Sequence, residues 1–333
     1  MRQLTIIFLI LFTLPAINGM AQKYEALKLD EKGEFKIVQF TDTHINQEKE
    51  DISLVLNVIR KVVENEKPDL VVFTGDIVTE DNPKKAYSQI GDLLKETATK
   101  WVVVLGNHDD EHNTKRTKIV KILSKIRGCL NQVTDKKYGY SDFVLKVGEG
   151  EKTSLLYFLD SNAYSTLKPK VEGYGWFTAQ QINWYKEKSN AFTKANNGTP
   201  LPALAFFHIP LPEYKQVWNS ETSVKIGVKN EKVCSPDINS GMFAAMVESG
   251  DMMGTFVGHD HVNDYIGVLY DIALAYGRCS SVGTTYGDLP SGGRVIVLKE
   301  GKRQFDTWIR EANGSILYKC SYPTSFITET EAN

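Results

Sequence analysis

Five of the six histidines stand just beyond runs of apolar, strand-forming residues, and this repetition constrains the fold more than any other feature. The runs cover residues 35–41, 70–74, 101–105, 203–207 and 254–257. They lead, in order, into Asp42-Thr43-His44, Gly75-Asp76, Gly106-Asn107-His108-Asp109, His208 and Gly258-His259-Asp260-His261. A β-rich apolar run that stops at a polar loop reads as a buried strand feeding a site at the sheet edge. In open α/β sheets, ligands bind outside the carboxyl ends of the strands. Five such ends carrying Asp, Asn and His can converge on one point, and that donor set suits two divalent metals.

The stretches between the runs set the fold class. Asp51 caps a segment whose Ile52, Val55, Leu56, Ile59, Val62 and Val63 share one helical face, and Pro68 ends it. Helices follow over about 83–99 and 114–127, giving a βαβαβ order and hence a parallel sheet with crossovers. Thr178-Ala179-Gln180-Gln181 has the form of a capping box, opening a helix that carries Ile182, Trp184 and Tyr185. From residue 269 onward, strands over 272–276, 294–299, 304–309 and 315–320 alternate with Gly-rich turns and read as a second, more antiparallel sheet. Residues 211–255 read as one long irregular insertion. Loops of that length are usually functional, so this one is expected to overhang the metals and shape the substrate pocket.

The order and wording of the five polar blocks resemble the calcineurin-like metallophosphoesterase superfamily, whose pattern is D-x-H, G-D, G-N-H-[DE], a lone His and G-H-x-H. The resemblance spans Asp42 to His261. Gly258 to Asp264 and Tyr276-Gly277-Arg278 are similar to the secreted, purple-acid-phosphatase-like branch. Two departures stand out. Purple acid phosphatases begin with D-x-G and place a tyrosine ligand after the G-D, whereas this chain has His44 and Ile77-Val78-Thr79. No tyrosinate-to-iron colour is expected. The resemblance implies an α/β, four-layer αββα sandwich of two mixed β-sheets flanked by helices.

The same resemblance implies a ligand set. Asp76 bridges two metals; Asp42, His44 and His261 complete the first site, and Asn107, His208 and His259 the second. Oxygen and imidazole donors without thiolate suit Mn, Fe, Zn or Mg. His108, left over from the ligands, is implied to contact the phosphate and protonate the leaving group. Asp109 beside it is the natural partner to orient and charge that imidazole. Asn263 and Asp264 follow the last ligand pair, and Asn263 and Arg278 are candidate substrate-binding residues. His112 matches no motif position and reads as a solvent-facing histidine.

The N-terminus adds an expectation of export. Arg2 precedes an almost wholly apolar stretch over 4–16, then Gly19 and Ala21, the layout of a cleaved signal peptide over residues 1–21. The apolar stretch is short for a membrane span. The mature chain, 22–333, is expected to form a single domain in the secreted or periplasmic space. Removing Arg2 takes the net charge from −2 to −3, which gives no basic excess to favour nucleic acid. Four widely spaced cysteines, with no C-x-x-C, read as free buried thiols rather than a disulfide framework.

Together these features favour an exported phosphoesterase that hydrolyses a small phosphorylated substrate by attack of a metal-bridging hydroxide. Monoester and diester preference, and oligomeric state, stay open. The competing classes are a non-catalytic interaction scaffold and a carbohydrate-binding protein. The latter would use aromatics such as Trp176, Trp184, Trp218 and Tyr214.

Overall fold

The computed structural model describes residues 26–49, 51–134, 138–282 and 287–327. The expected signal segment, 1–21, lies outside them. The front half forms as the periodicity dictates. Strands β1 (Glu34–Phe40), β2 (Leu70–Thr74) and β3 (Lys100–Val104) run parallel, separated by α1 (Ile52–Glu66) and α2 (Lys84–Glu96). The Asp51 carboxylate caps α1 by accepting the Ser53 N–H at 2.8 Å, and Lys67 ends the helix in the left-handed conformation just before Pro68. α3 (Arg116–Leu123) is shorter than its apolar spacing predicts.

The second sheet contains β4 (Phe143–Val147), β5 (Ser154–Phe158), β6 (Ala203–Phe206), β7 (Lys225–Ile226), β8 (Met252–Val257), β9 (Ile266–Leu269) and β10 (Ile272–Tyr276). Its order is β4-β5-β6-β8-β10-β9-β7, with β5, β6, β8 and β10 mutually parallel. α4 (Ala179–Ala195) opens on the Thr178–Gln181 capping box, as its sequence predicts.

The last three strands correct the sequence reading. β11 (Gly292–Lys299), β12 (Phe305–Glu311) and β13 (Ile316–Tyr322) join the first sheet, in the order β13-β12-β11-β1-β2-β3. β11 pairs antiparallel with β1, Val38 opposite Val295. Strand-forming sequence marks a strand but not its partner, and this pairing joins opposite ends of the chain. Residues 211–255 are also not one irregular loop. They contain α5 (Glu213–Asn219), β7, α6 (Met242–Ser249) and the start of β8. Both helices span about two turns, too short for a periodic signal, and Gly241 and Gly250 bracket α6 in left-handed conformations. Their Tyr214, Val217, Met242 and Met246 pack into the core, while residues 228–234 lie along the loop that carries His259 and His261.

Alternate residues of each strand face opposite layers. Ile37, Val72, Val102, Leu156, Phe206 and Phe256 meet between the sheets. Val38, Phe73, Trp101 and Val103 pack under α1–α3, and Tyr157, Ala205 and Leu274 under α4–α6. The result is the four-layer αββα arrangement of two mixed sheets. It brings the carboxyl ends of β1, β2, β3, β6 and β8 to one edge.

Candidate metal centre

At that edge the backbone turns sharply. Asp42, His44, Asp76 and His259 all adopt positive φ, at 53°, 47°, 53° and 78°. Non-glycine residues in this region cost on the order of 1 kcal/mol or more each and persist where surrounding contacts over-determine them. Two glycines make the close approach possible. A Cβ at Gly106 would strike the Asp76 carboxylate and backbone nitrogen, and one at Gly258 would strike Thr41 Oγ1. The loops are also tied across the sheets. His208 Nδ1 donates to the Thr74 carbonyl at 2.7 Å, and the His259 N–H reaches the Asp42 carboxylate at 3.0 Å.

Two groups of donors result. Asp42, His44 and His261 form one, and Asp76, His208 and His259 the other, with the donor atoms of each group within 4.8 Å of one another. His44 Nε2 and His261 Nε2 stand 3.2 Å apart, while His259 Nδ1 and His208 Nε2 stand 3.3 Å apart. Asp76 Oδ2 faces both groups, 3.1 Å from His208 Nε2 and 3.9 Å from His44 Nε2. These are the seven residues implied as ligands, less Asn107, and the pairing between them is the implied one. Asn107 precedes His108, whose N–H donates to Asp76 Oδ1 at 2.7 Å, and its own Oδ1 is buried with no hydrogen-bond partner. His259 Nε2 is likewise buried and unpartnered.

The electrostatics describe a cluster balanced by opposite charges. Burial alone would raise the Asp42 carboxyl, but its hydrogen bond and attraction to His261 outweigh this and hold it at about 2. Asp76 is depressed further, because His208 and His44 oppose its burial. His208 would be lowered by burial, but attraction to Asp76 lifts it to about 9. His259 falls to about 3 through burial and the neighbouring His208 charge. Imidazoles crowded to within 3.3 Å of one another around buried carboxylates, beside an orphaned amide oxygen, are what a pair of divalent cations would stabilise. The residues fit the metals.

His108 stands at the rim, its side chain 40% exposed and its ring 5.5 Å from that of His44. Here the structure corrects three sequence readings. Asp109 does not touch the His108 imidazole. It is buried beneath the loops, where its two oxygens accept the N–H groups of Asp76, Ile77, Val78 and Gly106 at 2.7–3.2 Å, and the Tyr87 hydroxyl at 3.3 Å. Successive residues of a tight turn point apart, so adjacency to His108 placed Asp109 on the opposite side. Arg278 is buried and committed to Asp264, Glu311 and the Pro290 carbonyl. Asn263 is buried too, its Oδ1 accepting the Asn230 and Glu231 N–H groups at 3.0 and 3.1 Å. Both brace the loop beside the site rather than face a substrate. His112 is half-buried and outside the donor groups.

The partner His108 does have is Glu111, whose Oε2 lies 2.5 Å from His108 Nδ1. Tyr164, from the loop after β5, donates to the other Glu111 oxygen at 2.7 Å and accepts from Asn107 Nδ2 at 3.1 Å. Tyr174 sets its ring edge-on to His259, with centroids 4.3 Å apart. The spacing of Glu111 three residues after His108 is a local signal; nothing local marks Tyr164 or Tyr174. No disulfide joins the four cysteines; Cys279 and Cys320 are buried as the sequence predicts, whereas Cys129 and Cys234 are partly exposed.

Comparison with known proteins agrees with this geometry. The calcineurin-like phosphoesterase family model matches residues 35–263. A protein of Arabidopsis thaliana named probable inactive purple acid phosphatase 29 is 33% identical, covering 89% of this chain and 84% of its own length. Phosphatase DCR2 of Saccharomyces cerevisiae is 31% identical over 72% of this chain and 46% of its own length. Among solved structures, a dimetal phosphatase from Danio rerio superposes with a TM-score of 0.58 at 13% identity, covering 86% of this chain and 98% of that one. That similarity shows a shared fold. With the family model spanning most of the chain and a relative one-third identical across nearly all of it, the chain belongs to the calcineurin-like phosphoesterase family.

Proposed function

We propose that this protein is an active metal-dependent phosphoesterase acting on small phosphorylated substrates. One observation carries the reading: a complete donor set around Asp76, with an accessible histidine at its rim that is not needed as a ligand. Asp42, His44 and His261 would hold one ion, and Asn107, His208 and His259 the other, with Asp76 shared. When bound, two divalent ions neutralise phosphoryl charge and lower the pKa of water. The chain's own part is to place the reacting groups. Glu111 occupies Nδ1 of His108, so Nε2 is the atom available to give a proton to the departing ester oxygen. That P–O bond breaks as the bond from phosphorus to the water oxygen forms, and no covalent phosphoenzyme is required.

The word inactive in the Arabidopsis relative's name favours a second reading, a non-catalytic member of the family. A carbohydrate platform has less support. Tyr214 is wholly buried, and Trp218 is packed against Tyr265 with ring centroids 4.7 Å apart. The deciding experiment is turnover of p-nitrophenyl phosphate and bis-p-nitrophenyl phosphate with and without Mn²⁺. Turnover lost on chelation and restored by metal supports the enzyme, and the ratio of the two substrates reports its ester preference. Bound metal without turnover of either ester supports the scaffold.

We also infer export, from the basic start and apolar stretch within residues 1–21. Among the described residues no helix is long and apolar enough to cross a membrane. Sequencing the N-terminus of protein made in its host should find a start near Gln22; an intact Met1 on a cytoplasmic protein overturns the inference.

A further inference from the structure

We propose that Glu111 and Tyr164 act as one positioning unit that fixes the imidazole of His108 and the side-chain amide of Asn107 together. The proposal rests on the ligand and proton-donor roles given above, but its test does not depend on turnover.

Hydrogen-bond valence fixes the arrangement. A carboxylate has only acceptors, and each Glu111 oxygen takes one donor: Oε2 from His108 Nδ1 at 2.5 Å, Oε1 from the Tyr164 hydroxyl at 2.7 Å. Nδ1 must therefore carry a proton, which leaves Nε2 as the nitrogen that serves the site. The single hydroxyl proton of Tyr164 is spent on Glu111, so toward Asn107 the hydroxyl can only accept. It therefore selects Nδ2 of the Asn107 amide, at 3.1 Å, and turns Oδ1 the other way. Oδ1 is the buried atom without a partner, the face of the amide suited to a cation. One chain of three hydrogen bonds thus sets a tautomer at one end and an amide orientation at the other. An amide orientation left unset would have to be fixed by the metal itself, at a cost in affinity.

The unit also spans the two sheets. Glu111 follows β3 in the first, and Tyr164 follows β5 in the second. Tyr164 is itself held, because its loop pairs with the segment around Tyr174 through a bridge between the two residues. Asn162 anchors that loop, donating to the Trp176 carbonyl at 2.8 Å and to Gln181 Oε1 at 3.0 Å. The alternative is that His108 and Glu111 form an ordinary surface pair. Their side chains are 40% and 37% exposed, and such pairs contribute little. A surface pair has no reason to affect a metal ligand.

The test uses the full chain in two variants and two measurements made without substrate. For Tyr164→Phe, calorimetric titration with Mn²⁺ should show the weaker of two sites, or the loss of one, with affinity down roughly 10–100-fold, as for other groups that orient ligands. Tyr270→Phe, which removes the hydroxyl of an exposed tyrosine in the turn between β9 and β10, should leave both affinities as in wild type. For Glu111→Gln, ¹⁵N-histidine NMR of the metal-free protein should show His108 changing from the Nδ1–H tautomer to a mixture, because the amide must turn its NH₂ toward one of its two partners. Circular dichroism confirms folding in each case. Equal affinities in Tyr164→Phe and Tyr270→Phe, or an unchanged His108 tautomer in Glu111→Gln, overturn the proposal.

Discussion

His208 Nε2 lies 3.1 Å from Asp76 Oδ2, a contact between wholly buried side chains that links the two sheets. The same Asp76 oxygen is 3.9 Å from His44 Nε2 of the other donor group. Asp76 thus reaches both groups, so removing it should be felt at both. Asp76→Ala is expected to lower metal content from two equivalents toward none, and His44→Ala to empty mainly one site. Metal analysis of dialysed protein checks this, alongside activity after exhaustive chelation. Equal and partial losses in both variants would contradict the shared role.

Asp109 is expected to behave as a structural residue. Asp109→Asn replaces one acceptor oxygen by NH₂, which turns a donor toward buried N–H groups and leaves them without an acceptor. The Oδ2 side alone serves Asp76 N–H at 2.9 Å and Gly106 N–H at 2.7 Å, both in ligand-bearing loops. Each stranded buried donor costs about 1–3 kcal/mol. The variant should therefore melt earlier and bind metal more weakly, and its residual activity should fall by the same factor for every leaving group. A defect confined to poor leaving groups, with wild-type melting, would restore Asp109 to the side of His108.

How much of this was legible in the sequence follows from what is local. Asp42, Asp76, Asn107, His208 and His259 each sit at the end of an apolar run, so their convergence could be read once the runs were taken as parallel strands. Side-chain direction within a turn could not. Asp109, Asn263 and Arg278 lie within a few residues of the site or of a strand leading to it, and all three point into packing. Tyr164 is 53 residues from Glu111 and meets it only because β5 and β3 end at the same edge. Strand partnership was equally hidden. The apolar content of β11 is satisfied by either sheet, and only pairing with β1 decides which.

Gly258 tests the close approach of the loops. Its Cα lies where an added Cβ would strike Thr41 Oγ1 and come within 2.7 Å of Asp42 Oδ2. Neither neighbour can withdraw easily, since Thr41 Oγ1 is wedged between two acceptors for its one proton, Asp42 Oδ2 at 2.7 Å and the Thr74 carbonyl at 3.1 Å. Gly258→Ala should destabilise the fold by about 1–3 kcal/mol, the usual range for overpacking. Because the displaced carboxylate belongs to the first donor group, that site should lose affinity more than the second. Thermal melting and metal titration on the same preparation read the two effects, and unchanged values of both would show that the loop can shift at little cost.

His108 separates proton donation from metal binding. Its imidazole is exposed at the rim, and the two donor groups are complete without it. His108→Ala should therefore retain both equivalents of metal while kcat falls, typically about 10²–10⁴-fold for a lost general acid. The size of the fall should depend on the ester. p-Nitrophenolate departs with little need of a proton, so aryl phosphates should lose least, whereas alkyl phosphates with basic leaving oxygens should lose most. A variant that sheds a metal makes His108 a ligand. One that slows every ester equally makes it a phosphate-binding group, because stabilising the phosphoryl oxygens does not depend on the leaving oxygen's basicity. Only a loss that steepens with leaving-group pKa, at full metal occupancy, identifies the proton donor.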